Sequence, residues 1–268
     1  MKQNWFPSHM SRAKREIIEN LKIVDTVIEV LDARAPLATQ NGAIKRIAAG
    51  KNRIILINKS DLVGEEDIEK IEKHFRKELR YSTCISLKNG TGVRKIFQQL
   101  DAIYRSKSEK AARKRMKALP IKVMVIGVPN VGKSKLINTL TGRKVTGVAN
   151  VPGFTKGKQW IRILPNVNLL DTPGVLWTKD KESDQRKLAM IGTLKDRVTD
   201  AENIAYDILD RIGKEKIAQF FSLKLVPNID LFEQLSELLK EKDLEKIYNK
   251  VINSFRKGDI GQFCLDNF

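Results

Sequence analysis

The 268-residue chain has little of what holds metals or staples small folds. It carries two cysteines, Cys84 and Cys264, and two histidines, His9 and His74. Two cysteines cannot build a disulfide framework or a four-ligand zinc site. With so few histidines, a metal held by His and Cys has almost no basis, and a reducing, cytoplasmic compartment fits. Aromatic residues make up 6%, which argues against a single-strand reader that stacks base after base. The longest apolar runs, such as Val123-Met124-Val125-Ile126, fall far short of the ~18 residues of a membrane span. The start, Met1-Lys2-Gln3-Asn4-Trp5-Phe6, has no apolar stretch behind its lysine, so neither a secretory signal nor a membrane partner is expected. Internal repeats and low-complexity tracts are also lacking.

What the chain does have is positive charge. It holds 50 Lys+Arg against 32 Asp+Glu, a net of +18, with a pI near 9.8. A hydrophobic content of 41% and a charged content of 31% suit a soluble globular protein. The excess is uneven: residues 1–180 hold 35 basic and 16 acidic residues, whereas residues 181–268 hold 15 and 16. A sustained positive field attracts polyanions, nucleic acid first among them. The densest stretch, residues 105–117, has seven basic residues and one acid, Glu109. It is expected to contribute to RNA affinity; the competing reading is a solvated helix in a lysine-rich protein.

Along residues 1–178, apolar runs alternate with amphipathic stretches. Residues 24–31, 53–57, 81–86 and 121–126 have the composition of strands, and 65–80 and 93–105 have helical spacing. Residues 159–164 and 167–170 form a strand pair joined at Pro165-Asn166. Strand and helix in series predict a mostly parallel sheet with helices on its faces. After residue 178 the pattern changes. Asp200, Asp230 and Asp243 are each placed to cap a helix, with Gly213 and Gly258 as stops. Residues 179–268 therefore read as a small all-helical domain, with 179–185 as the linker.

Gly127-Val128-Pro129-Asn130-Val131-Gly132-Lys133-Ser134 matches G-x-x-x-x-G-K-[ST], between a buried strand and a helix. Glycines there let backbone N–H groups curl around a phosphate; the lysine reaches the β and γ phosphates and the serine hydroxyl ligates Mg²⁺. Asn58-Lys59-Ser60-Asp61 follows the buried strand 53–57. The Asp61 carboxylate can accept hydrogen bonds from guanine N1–H and the 2-amino group, donors that adenine lacks, and the Lys59 stem can cover the base. Ser86-Leu87-Lys88 ends the next strand, where backbone N–H groups can meet guanine O6. Asp171-Thr172-Pro173-Gly174 follows another apolar run: Asp171 can hold Mg²⁺ through water, and the Gly174 N–H can meet the γ-phosphate. Thr155, in Pro152-Gly153-Phe154-Thr155-Lys156-Gly157, is the natural second hydroxyl for Mg²⁺, or else an ordinary loop threonine.

A glutamine commonly follows such a glycine and orients the attacking water. Val175 and Leu176 stand there instead, so the intrinsic rate should be low. Asn130 can ligate a monovalent cation, K⁺, beside the phosphates. His9 is a second source of help, or a surface histidine. His74, among Glu72, Lys73 and Arg76, reads as solvated.

The motifs run in a rotated order, with the base-reading set before the phosphate loop. The set resembles the circularly permuted GTPases of the YlqF/RbgA family. Trp5-Phe6-Pro7-Ser8-His9-Met10, Asp171-Thr172-Pro173-Gly174-Val175-Leu176-Trp177 and Leu188-Ala189-Met190-Ile191-Gly192 are similar to family stretches. Two positions depart: Ser8 replaces a glycine before His9, and Lys135 replaces a threonine after Ser134. The resemblance implies an α/β fold: a circularly permuted P-loop GTPase domain (1–178) and a helical, RNA-contacting C-terminal domain (179–268). It implies GTP/GDP, Mg²⁺ and K⁺ as cofactors, and the large ribosomal subunit with its rRNA as partner; a monomer is expected. The candidate nucleotide contacts are Asn58, Lys59, Asp61, Ser86, Leu87, Lys88, Pro129, Asn130, Val131, Gly132, Lys133, Ser134, Lys135, Thr155 and Gly174. The chemistry falls to His9, Lys133, Thr155 and Gly174, Mg²⁺ to Ser134, Thr155 and Asp171, and K⁺ to Asn130. Two rivals stay open: a scaffold that holds guanine nucleotide but barely turns it over, and a GTPase linked to tRNA or translation.

Overall fold

The computed structural model describes residues 15, 18–42, 47, 48, 50–142, 160–170, 182–193 and 200–268. Six strands form one sheet: β1 (Thr26–Asp32), β2 (Asn52–Asn58), β3 (Tyr81–Cys84), β4 (Ile121–Ile126), β5 (Trp160–Leu164) and β6 (Val167–Leu170). Their order is β3-β2-β1-β4-β6-β5. All neighbours are parallel except β5, which runs antiparallel to β6 across the Pro165-Asn166 turn. Every residue of β1 is buried, and every residue of β2 but Asn52. That is the sign of strands covered on both faces, as the continuous apolar run 53–57 predicts for β2.

Alternate side chains of each strand face opposite layers. Ile28, Val30, Ile54 and Leu56 pack with Ile96, Leu100 and Ile103 of α3 (Val93–Arg113), and with Leu136 and Leu140 of α4 (Lys133–Thr141). Leu31, Ile55 and Ile57 pack on the other face with Ile71 and Phe75 of α2 (Glu65–Glu78). The helix expected over 93–105 runs on to Arg113, so most of the basic stretch 105–117 is helical.

The C-terminal region is helical: α5 (Glu182–Met190), α6 (Ala201–Ile212), α7 (Lys214–Phe221), α8 (Leu231–Leu239) and α9 (Leu244–Lys257). The three expected caps form. Asp200 accepts from Glu202 N, Asp230 from Phe232 N and Asp243 from Glu245 N, at 3.2, 2.8 and 3.0 Å. Each such cap stabilises its helix by about 1 kcal/mol. Two helices were not expected. Residues 182–185, which the sequence assigns to the linker, open α5, whose Leu188, Ala189 and Met190 bury in one cluster with Ala38 of the short helix α1 (Pro36–Thr39) and with Ala35 just before it. Gly213 both ends α6 and starts α7, which hides the second helix from a search for separate caps.

After α9 the chain returns to the sheet domain. Phe263 N donates to Leu62 O at 3.2 Å and Leu265 N to Arg34 O at 2.7 Å. Asp266 accepts from Leu37 N at 2.6 Å and pairs with Lys187 at 2.8 Å. Cys264 joins Cys84 in one apolar cluster, and both thiols are free and buried. His74, expected in solvent, meets the Phe268 ring edge-on at 5.2 Å, because this returning segment reaches α2. Among the described residues, no helix is long and apolar enough to cross a membrane.

Candidate functional site

The C-terminal ends of β1, β2, β3 and β4 gather the motif residues at one edge of the sheet, where open α/β folds bind ligands. The phosphate loop leaves β4 at Gly127 and enters α4 at Gly132. Both glycines are required there. Gly127 has φ +156°, and a Cβ on it would lie 2.5 Å from Val30 O. Gly132 has φ +108°, and a Cβ on it would land on the Asn58 amide nitrogen. No side chain caps α4, so its first N–H groups are left for a ligand. Lys133, the first residue of α4, bends back so that Nζ donates to Val128 O at 2.6 Å. Burial pulls this ammonium down to about 8. A half-buried cation with no carboxylate partner among the described residues, beside a curled row of N–H groups, is shaped for a polyanion.

The base-reading loop is joined to the phosphate loop through Asn58. This side chain is buried; its Nδ2 donates to Val131 O at 2.7 Å and its Oδ1 accepts from Leu87 N at 3.1 Å. Asn58 thus braces three loops. Its amide oxygen and one amide N–H are held by protein, a bracing role not visible in the motif. Asp61 and Ser86 are brought together, Ser86 Oγ donating to Asp61 Oδ1 at 2.5 Å. Two of the backbone N–H groups expected to face guanine O6 are engaged within the protein. Ser86 N donates to Thr91 O at 3.0 Å and Leu87 N is held by Asn58. Of the three, the Lys88 N–H alone has no acceptor among the described residues.

Lys59 adopts φ +66°, and its ammonium lies 2.7 Å from Asp32 Oδ2. Asp32 ends β1 and is fully buried. It also accepts from Arg34 Nε at 2.9 Å and Nη2 at 2.7 Å. Burial alone would raise the Asp32 pKa, but the two cations outweigh it and the net shift is downward. Burial lowers Lys59, against the pull of Asp32. Arg34 further donates to Ile191 O at 3.1 Å and Arg256 O at 3.2 Å, so the network reaches the helical domain. Sequence reading missed Asp32 and Arg34. The available signal was an acid closing a buried strand beside the phosphate-loop strand.

Asn130, with φ +61°, donates from Nδ2 to Gly192 O at 2.7 Å. Its Oδ1 has no partner among the described residues. Ser134 and Lys135 are exposed in the first turn of α4, and Pro129 and Val131 complete the loop. His9, Thr155, Asp171 and Gly174 lie outside the described residues. The donor set fits a magnesium nucleotide: Lys133 without a carboxylate, an uncapped helix start, and the Ser134 hydroxyl beside both.

Residues 122–250 match a family model described as 50S ribosome-binding GTPase. A ribosome biogenesis GTPase A from Priestia megaterium is 32% identical over 276 residues, covering 98% of this chain and 96% of its own. The chain belongs to the ribosome biogenesis GTPase A family. Solved structures agree. GNP-bound YlqF from T. maritima superposes with a TM-score of 0.64 at 26% identity, covering 96% of this chain and 98% of its own. GDP-bound YlqF from the same organism gives 0.64 and 26%, covering 94% and 99%. The chain is thus a P-loop GTPase in which β2 and β3, leading into Asn58–Asp61 and Ser86–Lys88, precede the phosphate-loop strand β4 in sequence.

Proposed function

We propose that the chain hydrolyses GTP as an assembly factor of the large (50S) ribosomal subunit in the cytoplasm, acting as a monomer. It docks on precursor rRNA with GTP bound and leaves after hydrolysis. The observation that carries this reading is Lys133, half-buried, depressed to about 8 and, among the described residues, bonded only to a carbonyl, in a loop tied by Asn58 to the Asp61–Ser86 pair. A γ-phosphate supplies the missing anion; Asp61 selects guanine with one carboxylate oxygen steadied by Ser86.

In the reaction, water attacks the γ-phosphorus as its bond to the β–γ bridging oxygen breaks; GDP leaves with that electron pair, and the water's protons pass to phosphate and solvent. Lys133 and the first N–H groups of α4 hold the developing charge. Ser134, Thr155 and Asp171 would hold Mg²⁺, which would neutralise phosphate charge. Val175 and Leu176 cannot orient water, so the basal rate is low. The Asn130 Oδ1, free of protein partners among the described residues, supports a K⁺ beside the phosphates. The Gly174 N–H receives the γ-phosphate, and His9 assists only once the subunit has docked.

The test is GTP turnover in potassium buffer with and without purified large subunits. Strong stimulation is expected, and His9→Ala should lose it while keeping nucleotide affinity. Tight nucleotide binding with no stimulation would favour the scaffold reading instead.

A further inference from the structure

At the opposite end of the sheet from the nucleotide loops, two adjoining hollows of about 300 and 410 Å³ lie beside the last turns of α3. They share Lys51, Asn52, Ile103, Ser106 and Lys110, so they form one continuous trough. Lys51 enters just before β2 and Arg80 just before β3, while Lys110 comes from α3. These three cations are far apart in sequence, and none has a carboxylate partner among the described residues. The Lys51 ammonium is steadied by Val24 O at 2.8 Å, and Arg80 lies 5.4 Å over the Tyr81 ring. Asp25, the one acid lining the trough among the described residues, is already engaged, by Lys107 at 3.0 Å and by Lys122 N at 2.8 Å.

We propose that this trough seats the sugar–phosphate backbone of an RNA helix, as a second contact remote from the nucleotide. Uncompensated cations around a concave, polar-rimmed groove match a row of phosphates. Tyr81 is the one aromatic ring lining the trough, and Arg80 covers it, so there is no platform for stacked bases. The charge does not stop at the trough. Ser106, Lys110 and Arg113 recur at i, i+4 and i+7 on one stripe of α3, and exposed Lys114, Arg115 and Lys117 continue it. A small anion would need only the hollow; a track that runs on beyond it fits a polymer.

The inference rests on the large-subunit reading for its natural target but is separable from it. Two probes are used with the full chain: purified large subunits and a free synthetic RNA duplex. Affinity is measured from ~0.05 to ~0.2 M KCl. Arg80→Glu with Lys110→Glu, both exposed positions, should weaken duplex and subunit binding about tenfold or more and flatten the salt slope by about two. GTP turnover without RNA should not change. The charge-matched pair Lys70→Glu with Lys73→Glu, on the outer face of α2, should have a much smaller effect. Equal binding by the trough variant, equal loss in the control pair, or no duplex binding by the wild type would overturn the trough. So would wild-type binding to phosphatidylglycerol vesicles in preference to RNA. A wild type that binds duplex through the trough but ignores large subunits would instead overturn the proposed function.

Discussion

The Asn130 side chain in the phosphate loop donates its amide N–H to the Gly192 carbonyl, 2.7 Å away, in the turn that ends α5. The two residues stand 62 positions apart, and the bond ties the nucleotide loop to the helical domain. Gly192 has φ +76°, and a Cβ there would crowd Arg256 Nε at 3.1 Å, the side chain that also donates to Ala189 O and Met190 O. The turn is thus held so that its carbonyl faces the phosphate loop.

Asn130→Ala removes both this tie and the free Oδ1. Stability should fall by no more than ~1 kcal/mol, the usual net value of one hydrogen bond. Phosphate release in KCl should drop to the level seen in NaCl. Retained preference for potassium would assign the cation to other ligands.

Nucleotide binding should take up a proton near pH 8–9. Burial holds Lys133 at about 8 against an ordinary 10.5, so the empty site loses its charge as pH rises through 8, and a bound phosphate restores it. Affinity should therefore fall above pH 8. The folded state releases this proton before the unfolded state does, so stability without nucleotide should rise between pH 8 and 10.5. Calorimetric titration in buffers of different ionisation heat reads the proton directly, and Lys133→Ala should abolish the uptake.

Asp61→Asn exchanges an acceptor for a donor where guanine presents two N–H groups. Preference for GTP over XTP should fall by several orders of magnitude, up to ~10⁴ for a site built on such pairing. Ser86→Ala leaves the carboxylate in place but removes its 2.5 Å partner. A smaller loss of GDP affinity, about tenfold or less, is expected in competition binding.

Asp32→Ala leaves Arg34 and Lys59 without their shared counter-charge. Removing one partner of a buried ionic network costs about 3–5 kcal/mol, measurable by urea unfolding. Because the folded Asp32 pKa lies below its ordinary 3.8, its contribution is fully present above pH ~4 and is lost as pH falls through the folded value. The variant should therefore show a flatter stability curve below pH ~4 than the wild type.

Much of the site was legible because its signals are local. The phosphate loop declares itself within eight consecutive residues, and Asn58 to Asp61 within four. Asp200, Asp230 and Asp243 cap helices through bonds to N–H groups two residues on, so residue type and spacing suffice. Other features had no local signal. That Asn58 would brace Val131 and Leu87 depends on contacts 73 and 29 residues away. The acceptors of the Ser86 and Leu87 N–H groups, Thr91 O and Asn58 Oδ1, likewise lie outside the motif.

Side-chain types and their spacing were enough for the parallel sheet, the phosphate loop and the surplus of positive charge. Each follows from side-chain type and short spacing, which act on backbone geometry within a few residues. Only the tertiary structure decided that Asp32 and Arg34 connect Lys59 to the helical domain. It alone placed Asn130 against Gly192, and gathered Lys51, Arg80 and Lys110 into one trough. Burial and distance across the sheet set which charges are paired and which remain open to a ligand, and neither can be read along a chain.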